Sequence, residues 1–452
     1  MIEKAGIPTT TVTRLGFTQI VGNAFAGFGF PAEAPTVYEF PNAMFLPGSD
    51  LTPINENIDK IVYGLTQWQP KTTAKGVFPA DPVTVSGKDF AEFTANVNAL
   101  FLKNQWGDGL PLVPPTEAQV QWILTGTDLA PDTVVGSGAI MAKGGIPTVE
   151  SIAVSLAMAG GRPEYLPVLL AVIDAVSQPD YKLVGSNPTT QDVFPAVIVN
   201  GPVAQQIRMS SGYGVLGPDS LHPAGATIGR ALHLILQDLG GATPGVGTMA
   251  IYGAMRYTEA VVAEDEAGLP ATWTTLAEDR GFKKGDNVVS VTPVGGAVNV
   301  NNTSTDSTDA KGAQDQFLMR TARAMLDRQH GTYGNDLAGL VLIPRTFAQA
   351  LEGVGYSKEN VKTLLWQNSQ MSCALLTEIG HKGECTNGGA TPVVAKASDM
   401  MVVIAGGAQS GHAYWMNPGM GTKVVSKGIV LPKNWDQLLK QAETDLGPVP
   451  AY

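Results

Sequence analysis

The stretch that most restricts how this chain can fold is Trp106-Gly107-Asp108-Gly109-Leu110-Pro111-Leu112-Val113-Pro114-Pro115-Thr116. Its three prolines fix φ and remove backbone donors, so neither a helix nor a central strand can run through it. A stiff loop is predicted, with Asp108 between two glycines that let backbone come close to a ligand. Thr116 then caps a helix over 117–124, a structural role. Farther on, Thr148 caps an apolar helix to about Met158, which stops at Gly160-Gly161-Arg162-Pro163. Pro163 suits the first turn of the next helix. A helix N-terminus offers unpaired N–H groups and partial positive charge, and Arg162 stands beside it. Two readings follow. Either an anionic group docks at Arg162, or Arg162 pairs with Asp108 or Glu164 and ties two helices together.

Around this stretch the pattern is that of an α/β protein with mixed or parallel sheets in two or three domains. Residues 1–68 read as a partial α/β unit: a short helical turn, a strand through Val12, a helix near Phe17–Phe28 and a strand at Pro35–Phe40. This strand–helix–strand unit looks incomplete, and a partner polypeptide is expected to complete it. Residues 85–300 read as a central α/β domain holding the proline-rich loop and the Gly-Gly-Arg-Pro elbow. Within it, Ala196–Asn200 is a buried strand, Gly225–Leu239 a glycine-opened helix, and Asn287–Val294 a further strand. Residues 310–452 alternate helices with buried strands at Leu340–Ile343 and from Met400, which indicates a third unit. No internal repeat of fixed period is visible.

The chain of 452 residues carries a net charge of −11, which argues against nucleic acid or an anionic membrane as partner. No run reaches the length of a membrane span. Two cysteines in so long a chain fit a reducing compartment, and a cytoplasmic location is expected.

Several residues stand where chemistry is expected. Asn200 ends a buried strand, and Gly407 lies in the glycine-rich run Ala405–His412 after another. Such strand ends commonly face ligands in α/β sheets. Arg230 sits one turn into the glycine-opened helix, though Gly225-Ala226-Thr227-Ile228-Gly229 matches no phosphate-binding fingerprint and equally suits close helix packing. Glu264-Asp265-Glu266 reads as solvated surface or, alternatively, as the source of a general base. His381 and Cys385, with His412 as a third ligand, could hold part of a transition-metal site, although a closed site needs about four ligands. Against this, Cys373 and Cys385 read as ordinary thiols in a loop. His233 reads as packed core, while His222 and His330 lack evident partners. The glycine spacing does not suit a nicotinamide cofactor.

Two sets of these residues resemble the UGSC-type (seleno)protein family, named for a selenocysteine- or cysteine-Gly-Ser-Cys motif. Glu3-Lys4-Ala5-Gly6-Ile7-Pro8-Thr9, with Phe17 and the Val37–Pro41 strand, is similar to the segment that follows that motif. Asp108–Thr116, Met158–Tyr165, Asn200-Gly201-Pro202 and Ala226–Arg230 resemble long proteins found with or fused to such a domain. The motif itself does not occur in this chain. The resemblance therefore implies a smaller partner subunit that carries the Cys/Sec-Gly-Ser-Cys motif in a hetero-oligomer. A vicinal thiol pair suits nucleophilic attack followed by disulfide release.

The leading expectation is the larger subunit of a heteromeric enzyme that carries out thiol- or selenol-dependent reductive cleavage or elimination. Its substrate would be a small anionic or polar organic molecule. Asp108, Glu164 and His412 are the acid/base candidates, and Arg162, Asn200, Arg230 and Gly407 would bind substrate. The alternatives are a metal-dependent hydrolase or lyase and a non-catalytic small-molecule-binding scaffold subunit.

Overall fold

The structure, a computed structural model, describes residues 2–31, 37–72, 81–253, 258–326, 338–385, 389–408, 411–419 and 423–450. His330, Gln409, Ser410 and the start of the strand expected at Pro35 lie outside them. Strands β1 (Thr11–Arg14) and β2 (Val37–Phe40) pair in parallel, with the helix Thr18–Gly27 between them in sequence. Then come β3 (Phe194–Asn200), β4 (Ala260–Ala263), β5 (Val288–Asn301) and β6 (Gly339–Ile343). Among the described residues, the short β7 (Gln370–Ser372) and β8 (Ala390–Pro392) pair only with each other. The last three are β9 (Met400–Ile404), β10 (His412–Pro418) and β11 (Val425–Gly428).

Seven of these strands make one mixed sheet in the order β4-β3-β5-β10-β6-β9, with β11 also paired to β5. The order is a topological palindrome. Each outer pair, β3 with β4 and β6 with β9, is parallel, and each inner neighbour is antiparallel. The long strand β5 meets β10 in the middle. Residues expected to form separate domains at 85–300 and 310–452 thus share a single sheet.

Side-chain alternation along these strands divides the core. Ala196 and Ile198 of β3, Val262, Leu340, Leu342, Val403 and Met416 pack together in one cluster. The opposite face of β3, with Val197 and Val199, packs in a second cluster with the helices Val149–Met158, Leu166–Val176 and Ala224–Asp238. Val341, Ile343, Val402 and Ile404 do the same with Ala310–Ala324, Arg345–Gly353 and Lys358–Asn368. The sheet curls so that its two edges approach. Asp265, just past β4, donates its N–H to the Ile404 carbonyl at the end of β9 at 2.7 Å. Ser210 and Ser211 bridge the same seam, accepting from Ala263 N–H at 3.3 Å and from Gly406 N–H at 2.9 Å.

Local signals explain the elements around the elbow. Thr148 caps its helix in a reciprocal capping box with Ser151, and Thr116 accepts from Gln119 N–H. The chain then turns through Gly160, at φ +75°, into a short 3-10 turn at Pro163–Tyr165. The glycine-opened helix, Ala224–Asp238, lies directly on β4: a Cβ at Gly225 would collide with the Val261 carbonyl, and one at Gly229 with that of Thr258. The packing reading of these glycines holds.

Near the N-terminus the surface is apolar. Ile7, Leu15 and Leu46 are each more than half exposed, at 54, 66 and 63%. The helix Ile58–Thr66 exposes Ile58, Val62 and Leu65, which recur at i, i+4 and i+7 and so share one face. Among the described residues no helix is long and apolar enough to cross a membrane.

The glycine contacts give a test by sign. Gly→Ala at an exposed helix position stabilises by roughly 1 kcal/mol. At Gly229 the added methyl must displace backbone, and overpacking of that kind costs about 1–3 kcal/mol. Gly229→Ala is therefore expected to lower the urea midpoint. A midpoint at or above that of the wild type would refute the close packing of this helix on β4.

Candidate functional site

Three of the four long motif stretches meet. The proline-rich loop is fastened to the elbow by Val113 N–H, which donates to the Met158 carbonyl at 3.1 Å. It is fastened to the Ala224–Asp238 helix by Arg230, whose Nε and Nη2 donate to Asp108 Oδ2 and Oδ1 at 2.8 and 3.1 Å. Arg230 Nη2 also reaches the Pro111 carbonyl, at 3.1 Å. Burial works against the Asp108 charge, but the hydrogen bonds of Arg230 and of Leu110 N–H outweigh it and hold the carboxyl below its ordinary range. Asp108 and Arg230 thus neutralise each other. Gly107 N–H donates to Asp238 Oδ1 at 2.9 Å, and Gln237 donates to the Gly107 carbonyl.

Between these stretches opens a cleft of about 390 Å³, within the range of small-molecule sites. Gln119 and Trp122 line it from the helix Glu117–Leu124, and Gly160, Gly161, Arg162 and Tyr165 from the elbow. Thr227 and Leu446 close other sides. Arg162 is committed: Nε donates to Glu164 Oε1 at 2.6 Å and Nη2 to Asp445 Oδ2 at 2.7 Å. Its guanidinium lies 5.1 Å from the centre of the Trp122 ring. Burial disfavours its charge, but the bonds to Asp445 and Glu164 more than offset this and keep it protonated. The pairing reading of Arg162 is the one realised, with Glu164 and Asp445 rather than Asp108. Tyr165 differs. Its ring is 2% exposed, and its hydroxyl has no hydrogen-bond partner among the described residues. Burial raises its pKa, so the group stays a donor.

Asn200 belongs elsewhere, with Gly407, at the seam where β4 and β9 meet. It is fully buried at the end of β3, and its Nδ2 donates to Glu264 Oε2 at 2.6 Å and Glu266 Oε1 at 3.0 Å. The Gly407 carbonyl accepts from Arg345 N–H at 3.2 Å. The Arg345 guanidinium clamps Asp265 through Nε and Nη2, at 2.7 and 2.8 Å. Glu264 and Asp265 are 4 and 3% exposed and Glu266 is half-buried, so the acidic run is not a solvated surface. His412 is exposed on β10, with Nδ1 3.0 Å from Asn299 Oδ1, and none of its described contacts is another candidate residue. His233 is not plain core: its Nδ1 lies 2.9 Å from Glu259 Oε1.

The metal expectation loses its sulfur. Cys385 is joined to Cys373 in a disulfide, so neither is an ordinary thiol and neither sulfur is a thiolate ligand. His381 Nδ1 lies 2.8 Å from Glu384 Oε1. Among the described residues no three His, Cys, Asp or Glu side chains group as metal ligands. Disulfides persist in oxidising surroundings, so the cysteine pair does not support the reducing compartment expected from its count.

Sequence reasoning missed Trp122, Tyr165, Asp445 and Arg345. Tyr165 was within reach, being the last residue of the elbow motif. Asp445 was not, since it lies 283 residues from Arg162.

Removal of Arg162 leaves Glu164, 1% exposed, as an uncompensated buried charge. Arg162→Ala is expected to destabilise by about 3–5 kcal/mol, and Asp445→Asn, on the exposed side, by about 0–1 kcal/mol. Equal effects of the two substitutions in denaturant titrations would contradict this division.

No protein-family model, no curated protein and no solved structure matches this chain.

Proposed function

We propose that this chain is the larger subunit of a heteromeric enzyme and binds a small, polar organic substrate in the elbow cleft. The carrying observation is the convergence of the proline-rich loop, the elbow and the Ala224–Asp238 helix on one cleft lined in part by Tyr165, whose buried hydroxyl has no hydrogen-bond partner among the described residues. Tyr165 would donate to a substrate oxygen, Gln119 and Thr227 would orient the polar end, and Trp122 would cover an apolar part. The anionic half of the substrate expectation loses its anchors, because Arg162 and Arg230 are both already paired with carboxylates. A polar, uncharged molecule fits better.

The reaction would use a thiol or selenol from a smaller partner with a Cys/Sec-Gly-Ser-Cys motif. One sulfur or selenium attacks the substrate's polar bond, and the second thiol displaces the product. The partner is left oxidised, and the substrate gains two electrons and two protons. The exposed apolar side chains among the described residues near the N-terminus support the existence of such a partner. Parallel sheets are almost always covered on both faces, while β1 and β2 form a two-stranded sheet beside exposed Ile7, Leu15, Ile58, Val62 and Leu65.

Purification from the native source, with mass spectrometry of all stoichiometric components, tests the reading. A shorter chain bearing the motif should co-elute, and Tyr165→Phe should reduce turnover of the complex at least tenfold, the loss expected for a hydrogen bond of about 1.4 kcal/mol. A monodisperse, fully active preparation of this chain alone would overturn the subunit assignment. Unchanged kinetics in Tyr165→Phe would remove the cleft.

A further inference from the structure

The seam contains a hydrogen-bond count that does not close. Asn200 uses both hydrogens of Nδ2, on Glu264 Oε2 at 2.6 Å and Glu266 Oε1 at 3.0 Å. Glu264 Oε2 also accepts from Leu276 N–H at 2.7 Å, and Glu266 Oε1 from Gly201 N–H at 2.7 Å. Two atoms are left over, Asn200 Oδ1 and Glu264 Oε1, each buried and without a partner among the described residues. Both are acceptors when Glu264 is ionised. A buried acceptor without a donor costs about 1–3 kcal/mol, and more for a charged group.

We infer that Glu264 is held as a neutral carboxylic acid at neutral pH, so that the carboxyl ends of β3 and β4 form a buried proton-holding site. The proton on Oε1 supplies the one donor that the pair lacks, while Oε2 keeps the bonds from Asn200 and Leu276. An amide and a carboxylic acid are complementary in this sense, because each can give one hydrogen bond to the other and accept one in return. An amide and a carboxylate are not.

The surroundings agree. Burial, at 4% exposure, is the largest influence on Glu264 and drives its pKa up, and nearby Glu266 adds to this. Lys358 opposes it, as do the hydrogen bonds from Asn200 and Leu276. The Lys358 ammonium is committed to Asp279 at 2.9 Å and to the Thr274 carbonyl at 2.8 Å. Asp265, the remaining carboxylate of the run, is neutralised by Arg345. The sign of the pH effect follows. A carboxyl whose folded pKa lies above its unfolded value contributes stability at low pH that is lost as pH rises through the folded pKa. Ionisation would also set a second negative charge beside Glu266 at the point where β4 meets β9.

Infrared spectroscopy of the purified full-length chain tests this directly. The wild type at neutral pH should show a protonated-carboxyl C=O band that shifts when glutamate alone is isotope-labelled at its carboxyl carbon, which separates it from Asp238 and Asp399, two aspartates whose pKa burial also raises. Glu264→Gln, which mimics the neutral acid, should lose that band. It should keep the wild-type thermal midpoint at neutral pH and abolish the fall of the midpoint on going to alkaline buffer. Absence of a glutamate-dependent acid band in the folded wild type would overturn the inference, whether or not the variant folds. So would a folded Glu264→Gln protein that retains the band.

Discussion

The antiparallel pairing of β5 with β10 is the contact on which the rest of the architecture depends. Strand β5 is 14 residues long and pairs with β3, β10 and β11. Most of its backbone donors and acceptors are satisfied only if strands from both halves of the chain lie beside it, because an unpaired buried peptide group is costly. Once β10 is in register with it, β6 and β9 follow on the far side, and the helices have faces to cover. The elbow cleft and the buried acidic seam are secondary to that ladder, since β3 and the Leu166–Val176 helix both rest on β5.

Elements with strong local signals were legible in the sequence. Thr116 and Thr148 announced their helices by capping, and the apolar runs at 196–200, 340–343 and 400–404 announced strands. The strand β4, with only four residues, and β10, which ends in Asn417-Pro418, carry no such signature. The helix Trp435–Leu446 buries only Trp435, Leu438 and Ala442, too thin an apolar stripe to stand out. The palindromic strand order was invisible because it is a property of pairing and not of residue spacing.

The site was legible in part for a related reason. Single positions such as Asp108, Arg162 and Arg230 were identified because glycine and proline mark the turns that carry them. Glu164 was one of the two partners offered for Arg162, but Asp445 as its second partner and Arg230 as the partner of Asp108 could not be assigned, because a guanidinium meets whichever carboxylate the fold delivers. Glu264-Asp265-Glu266 is the clearest case. An acidic run in a loop ordinarily faces solvent, and only the approach of β9 to β4 turns it into a buried network.

The palindromic sheet has a mechanical consequence. Within the sheet the two halves meet where β5 pairs with β10 and β11, and the helix Ala310–Ala324, which follows β5 in the chain, packs against the strands of the second half. A break in the backbone between the helix Ala310–Ala324 and β6 would remove no strand pairing and no member of the three main apolar clusters. Neither half would hold a closed core alone, since the cluster containing Ile198 and Leu342 draws on both. The two halves are therefore obligate complements, behaving more like the chains of a heterodimer than like domains on a string.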